Sequence, residues 1–270
     1  MSIIIDPKNA LCNRLRALDS GFSLAEDCGR DLVIYWNSYN GMNCPIERLF
    51  QIPAQVRDVW VWSSISRISR LEKLVRLAAI RRKFSDDGET KNKISSYSEE
   101  ELLKIAKINS RIFISTFARF YSSKTRAPYW WLEPREPLMA AAQKVVNKFF
   151  SGKRILGVHV RMWDNIKARQ TSSLPKFIAA MEKELATDRN TMFFVATDDQ
   201  SVEQELTDRF SSNILVYSKR SRDRSVPEAC EDAMVDLICL KNTSKILGSY
   251  WSSFSFTAAE WGNIPLEVIS

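Results

Sequence analysis

From residue 155 to residue 269, short apolar runs alternate with stripes of apolar residues at helical spacing. Ile155, Leu156, Val158 and Val160 form the first run, and residues 192–196, 214–217, 245–248 and 266–269 supply the others. Between them fall Phe177, Ile178, Met181 and Leu185, then Val202 and Leu206, then Met234, Leu237 and Ile238, and a last helical stretch over 255–261. A run that is apolar on both faces is expected of a strand covered on both sides by helices. Strands alternating with helices pair in parallel. The pattern predicts an α/β fold with a parallel sheet.

The amino-terminal part begins in the same way. Ile3, Ile4 and Ile5 read as a buried strand, followed by a polar loop over 6–10. Leu11, Leu15, Leu18, Phe22 and Ala25 form a helical stripe, and Gly29 is placed to end that helix. Leu32 through Trp36 read as the next strand. Residues 37–62 look like an aromatic loop. Ile65, Ile68, Leu71, Val75 and Ala78 then form a stripe flanked by Arg67, Arg70, Lys73, Arg76, Arg81, Arg82 and Lys83. A basic amphipathic helix over 67–83 has two readings: a solvated surface helix, or a peripheral contact with an anionic membrane. Residues 85–93 read as a polar insertion, 98–108 as a helix and 111–115 as a strand. Pro134 and Pro137 mark a junction, giving domains 1–137 and 138–270.

The chain has 270 residues, a net charge of +7, five cysteines and one histidine. The charge suits an anionic partner without choosing among nucleotide, nucleic acid, acidic glycan and membrane. An odd cysteine count without a CxxC pair argues against a disulfide framework, and a single histidine against a zinc site. The amino terminus reads as a strand rather than a signal peptide, which makes a cytoplasmic location the expectation. Neither GxGxxG nor GxxxxGK[ST] occurs, which disfavours the common dinucleotide and P-loop sites.

Chemistry gathers at strand ends. His159, Arg161 and Asp164 follow the run that starts at Ile155. His159 and Arg161 are two residues apart and so leave the strand on one face. An arginine fork there suits a phosphate, and a buried Arg–Asp pair is the equal alternative. Thr197, Asp198 and Asp199 end a second strand, and Ser249, Ser252 and Ser253 follow a third. Carboxyl ends of parallel strands share one edge, where open α/β sheets bind ligands. The serines also suit the cap of the final helix. Asn13, Arg14 and Arg16 open the first helix near the corresponding edge of the amino-terminal part, with a solvated helix face as the other reading of the two arginines and the preferred one for Arg16.

These residues resemble the motifs of the fucosyltransferase superfamily that includes nodulation, core α1,6- and protein O-fucosyltransferases. The run 13–16 resembles its first loop-to-helix motif. Gly157 through Arg161 with Asp164 resembles its HxRxxD motif, Phe194 through Asp199 its FxATDD strand, and Asp236 with Ser252, Ser253 and Phe254 its closing motif. The resemblance implies a GT-B fold: two Rossmann-like domains with parallel sheets facing across a cleft, the first on the acceptor side and the second holding the GDP-sugar. It implies an inverting transfer of L-fucose from GDP-fucose to a glycan, without metal or other cofactor and with no nucleic-acid partner. Arg161 is expected to contact the β-phosphate and His159 the donor. Asp236 is expected to bind the guanine, and Ser252, Ser253 and Phe254 to line the phosphate and base pocket, with Asp198 also on the donor side. The chain departs from the family in its first loop, 8–12, which lacks glycine, and at Arg169, where core fucosyltransferases carry a catalytic glutamate. For the base, Asp164, Asp6 and an acceptor-positioning Asn13 stay open. Another GDP-sugar, or an inactive nucleotide-binding scaffold, are the alternatives.

Overall fold

The computed structural model describes residues 1–38, 42–62, 78, 80, 82–86, 93–150, 152–162 and 166–270. The chain divides into two compact units. One comprises Met1–Arg135 with Arg224–Cys230, the other Glu136–Asp223 with Glu231–Ser270.

The first unit is a parallel sheet of β1 (Ser2–Pro7), β2 (Asp31–Asn37), β3 (Val56–Trp62), β4 (Arg82–Ser85) and β5 (Arg111–Thr116), in the order β3-β2-β1-β5-β4. The central β1 is buried at every position. Helix α1 (Leu11–Cys28) follows it and stops at Gly29, whose φ of 62° is the left-handed conformation that lets its N–H reach back to the last carbonyls. Helix α2 (Glu99–Ile108) starts with a capping box: the Ser98 hydroxyl accepts from Glu101 N while the Glu101 carboxylate accepts from Ser98 N. Trp131 stacks on Phe22, with centroids 4.3 Å apart, and meets Phe50 edge-on. The buried Asp19 carboxylate accepts from Tyr129 N at 2.7 Å and Trp131 Nε1 at 3.0 Å and pairs with Arg119. Asn43 Nδ2 donates to the Ser225 carbonyl at 2.8 Å, and Arg48 pairs with Glu228. These bonds account for the membership of segment 224–230 in this unit.

The second unit is a parallel sheet of β6 (Ile155–Val160), β7 (Met192–Thr197), β8 (Ile214–Val216), β9 (Lys245–Ser249) and β10 (Leu266–Ile269), in the order β10-β9-β6-β7-β8. Its helices are α3 (Glu136–Phe149), α4 (Ile166–Thr171), α5 (Leu174–Thr187), α6 (Gln200–Phe210), α7 (Pro227–Lys241) and α8 (Ser253–Gly262). The first turn of α7 belongs to the other unit. Leu156, Val158, Phe193 and Val195 on the strands pack with Phe177, Met181 and Leu206 on α5 and α6. Gly248 lets α8 lie close on β9, since a Cβ there would fall 2.7 Å from the Ser255 Cβ.

Two parallel α/β sheets are the expected fold class. Three expectations in the first half are corrected. Residues 37–62 are not all loop, because Val56–Trp62 is the edge strand β3, paired with β2. The strand that starts at Ser2 continues through Asp6 to Pro7. The basic helix does not reach residue 83: Arg82 and Lys83 open the edge strand β4, where only Phe84 is buried. The rest of that basic run, 67–77, 79 and 81, lies outside the described residues. No described helix is long and apolar enough to cross a membrane.

Candidate nucleotide site

The sheet order places β9, β6 and β7 side by side, so three polar strand ends meet on one edge of the second unit. The register sets His159 opposite Gly248 on one side and Ala196 on the other. The imidazole is buried and stacks on the Phe254 ring, with centroids 4.8 Å and planes 21° apart. Its Nδ1 lies 3.5 Å from the buried Ser252 hydroxyl. Ser249 fastens β9 to the end of β6: its hydroxyl donates to the His159 carbonyl at 3.2 Å and accepts from Arg161 N at 2.9 Å. Asp198 does the same for β7 by accepting from Met162 N at 3.0 Å. The backbone that carries Arg161 and leads toward Asp164 is thereby held from both sides. Asp164 itself lies outside the described residues, as does Trp163.

The neighbouring Asp199 has a different job. It caps α6 by accepting from Ser201 N and Val202 N, and the bond from the Ser201 hydroxyl holds its carboxyl below the usual range. Ser252 stands at the cap position of α8, yet its side chain makes no capping bond and turns to His159 instead. The first N–H groups of α8, with Ser253, therefore face the same edge without a side-chain cap, an arrangement suited to an anion. The turn leading in passes Trp251 at a φ of 53°, a conformation a bulky side chain adopts only when its surroundings impose it.

Asp236, on α7, is buried among charges that sequence reading missed. Its Oδ2 lies 3.1 Å from Lys219 Nζ, and its Oδ1 accepts no hydrogen bond from the described residues. Burial pushes the carboxyl up to about 6, against the pull of Lys219. Lys219 also approaches Glu203, which accepts from Arg222 at 2.7 Å. The basic loop 218–225 was the available signal, but nothing in the sequence says that it folds onto α6 and α7.

In the first unit, Asn13 is half-buried on the opening turn of α1. Arg14 is no solvated helix residue. It is 1% exposed, lies over the Trp36 ring, donates to the carbonyls of Asn9 and Asn37, and is brought down to about 10 by burial. Arg16 is half-buried. Asp6 is buried, with Lys8 Nζ at 2.7 Å and the Ser115 hydroxyl at 3.1 Å. Among the described residues no three His, Cys, Asp or Glu side chains gather to hold a metal ion.

The sequence matches no protein-family profile and no curated protein. Solved structures do match. The fucosyltransferase NodZ from Bradyrhizobium superposes with a TM-score of 0.67 at 18% identity, over 95% of this chain and 92% of that one. This chain shares the fold of that protein. An Arabidopsis thaliana FUT1 variant in complex with GDP gives 0.64 at 12% identity over 99% and 69%. POFUT1 in complex with GDP gives 0.60 at 13% identity over 100% and 98%.

Proposed function

We propose that this chain is a glycosyltransferase that moves L-fucose from GDP-fucose to a glycan acceptor, with inversion at the sugar carbon and without a metal ion. The observation that carries this reading is the edge formed by β9, β6 and β7. There a stacked histidine, an arginine, two serines and an open helix N-terminus adjoin one another, in a fold shared with a NodZ α1,6-fucosyltransferase solved with GDP-fucose and with proteins solved with GDP. Arg161 and the first turn of α8 would take the diphosphate. Phe254 and Asp236 would take the guanine, and His159 would contact the donor. As the sugar–phosphate bond breaks, charge grows on the departing GDP, and a fixed arginine and oriented N–H groups stabilise it without reorganising. The second unit would thus serve the donor and the first the acceptor. For the base, Asp6 carries a lysine partner already, which favours Asp164 or an acceptor held by Asn13.

Calorimetric titration with GDP, GDP-fucose and UDP, followed by an assay of donor hydrolysis and of transfer to a glycan panel, tests the reading. Binding of GDP and GDP-fucose over UDP, with fucose transferred, is the expected result. Tight GDP binding with a different GDP-sugar turned over would change the donor, and binding without turnover of any donor would make the chain a nucleotide-binding scaffold.

A further inference from the structure

Lys219 and Asp236 form a buried ion pair in which one carboxylate oxygen is left unsatisfied. The ammonium sits on Oδ2 of the carboxylate, and both side chains are at most 6% exposed. The other oxygen, Oδ1, is buried and takes no hydrogen bond from the described residues. A buried carboxylate oxygen left without a donor is costly, and such atoms call for a partner. Guanine offers one in its N1–H and exocyclic amino group. Adenine presents a bare N1 at the same edge, which only a protonated carboxyl could approach favourably.

We infer that Lys219 holds Asp236 in its charged form for reading the guanine edge, and so sets the pH range over which the protein tells GDP from ADP. The inference rests on the proposed role of Asp236 in base recognition and adds to it a positioning residue that need not touch the donor. The opposing groups come from two elements. Glu203, on α6, and Asp232, one turn back along α7, both disfavour the charged form of Asp236, as does its burial. Arg222 offsets Glu203, and Arg220 offsets Asp232 at 2.6 Å. Tyr217 and Cys239 also lie within electrostatic reach, and burial foremost pushes both above their ordinary values, so they stay neutral at neutral pH. Lys219 is the one cation bonded directly to Asp236 among the described residues. Without it, no cation among the described residues contacts the carboxylate, while burial, Glu203 and Asp232 favour the proton.

The test is the ratio of GDP to ADP affinity, measured by calorimetry on the whole chain across about pH 5 to 9. Taking the ratio cancels the titration of the phosphates, which the two nucleotides share. In the parent the guanine preference should fall away below about pH 6, where Asp236 takes up its proton. In Lys219→Met that fall should move upward by about one pH unit or more, the size of effect expected from removing a cation at contact distance. Guanine preference would then be weakened at neutral pH and recovered in alkali. Lys219→Arg should keep the parent's midpoint. Lys219→Gln is a second neutral variant should the methionine protein fail to fold. A parent with guanine preference whose midpoint stays fixed in both neutral variants would refute the role of Lys219 and leave Asp236 as the base reader. A parent that binds GDP and ADP equally would overturn the role of Asp236 itself, and this inference with it.

Discussion

The rings of His159 and Phe254 lie nearly parallel, 4.8 Å between centroids, so a residue of β6 and a residue of the first turn of α8 share one face. Replacing His159 by Phe should keep the stack and leave the melting temperature close to the parent's, while GDP-fucose binding weakens. Phe254→Ala should lower both. Unimpaired donor binding in the His159→Phe protein would reduce His159 to a packing residue.

Arg161 is the proposed counter-charge for departing GDP. An arginine fork matches two phosphate oxygens, whereas lysine is a point charge. Arg161→Lys should therefore retain part of the donor affinity and lose turnover by about two orders of magnitude or more. Arg161→Ala should lose both. Chelator should leave the parent's turnover unchanged. Activity that collapses in chelator and returns with manganese, or a lysine variant as fast as the parent, would remove the mechanism.

Asp236 carries its charge at a cost to stability. Its folded value of about 6 lies above the ordinary 3.8, so the folded protein holds this proton more tightly than the unfolded chain does. That contribution is fully present below the unfolded value and is lost as pH rises through about 6. Asparagine is neutral throughout. Asp236→Asn should thus be more stable than the parent at neutral pH, by at most roughly 3 kcal/mol for a shift of about two units. The gain should shrink toward about pH 4, and GDP affinity should fall at the same time. Denaturant melts at several pH values check the sign. A variant equally destabilised at all pH values would show that the pair with Lys219 outweighs desolvation.

Gly248 allows α8 to approach β9. Gly248→Ala would drive a methyl group into the Ser255 side chain at 2.7 Å. Overpacking of this kind costs about 1–3 kcal/mol. Because the helix start carries Ser252, Ser253 and Phe254, donor affinity should drop together with the melting temperature. Parent-like values for both would mean that α8 slides without consequence.

Asp19 is the shared acceptor for Tyr129 N, Trp131 Nε1 and Arg119. Asp19→Ala removes the acceptor that these donors share and should cost about 3–5 kcal/mol, read as a lowered denaturation midpoint. GDP affinity of the protein that remains folded should hold, since the proposed donor residues are in the other unit.

The second unit could be read from the sequence because its central strands are covered on both faces. β6 and β7 are buried at every position, and such strands appear as unbroken apolar runs. The edge strands of the first unit gave no such signal. β3 interrupts its valines with Arg57 and Asp58, and β4 buries only Phe84. Their strand character comes from pairing with β2 and β5, which no local pattern encodes. The same limit applied to the site. His159 was visible inside an apolar run, and Arg161 and the serines because they come just after such runs. The neighbours of Asp236 were not, because Glu203, Lys219 and Asp236 meet only when α6, the loop after β8 and α7 have packed. Arg14 read as a residue of the ligand-binding edge or of a solvated helix face, and its burial over the Trp36 ring depends on the carbonyls of Asn9 and Asn37.

The segment 224–230 has a consequence for synthesis. The ribosome delivers β1 through β5 first, but the unit to which they belong also counts Arg224–Cys230, made after β6, β7 and β8. The nascent first unit therefore waits, with Asn43 and Arg48 lacking the contacts that Ser225 and Glu228 will bring, until most of the second sheet has already emerged. Domains released in sequence usually fold in sequence. Here the earlier one is finished late, and a fragment cut at the Arg135–Glu136 bond would be born without one of its own pieces.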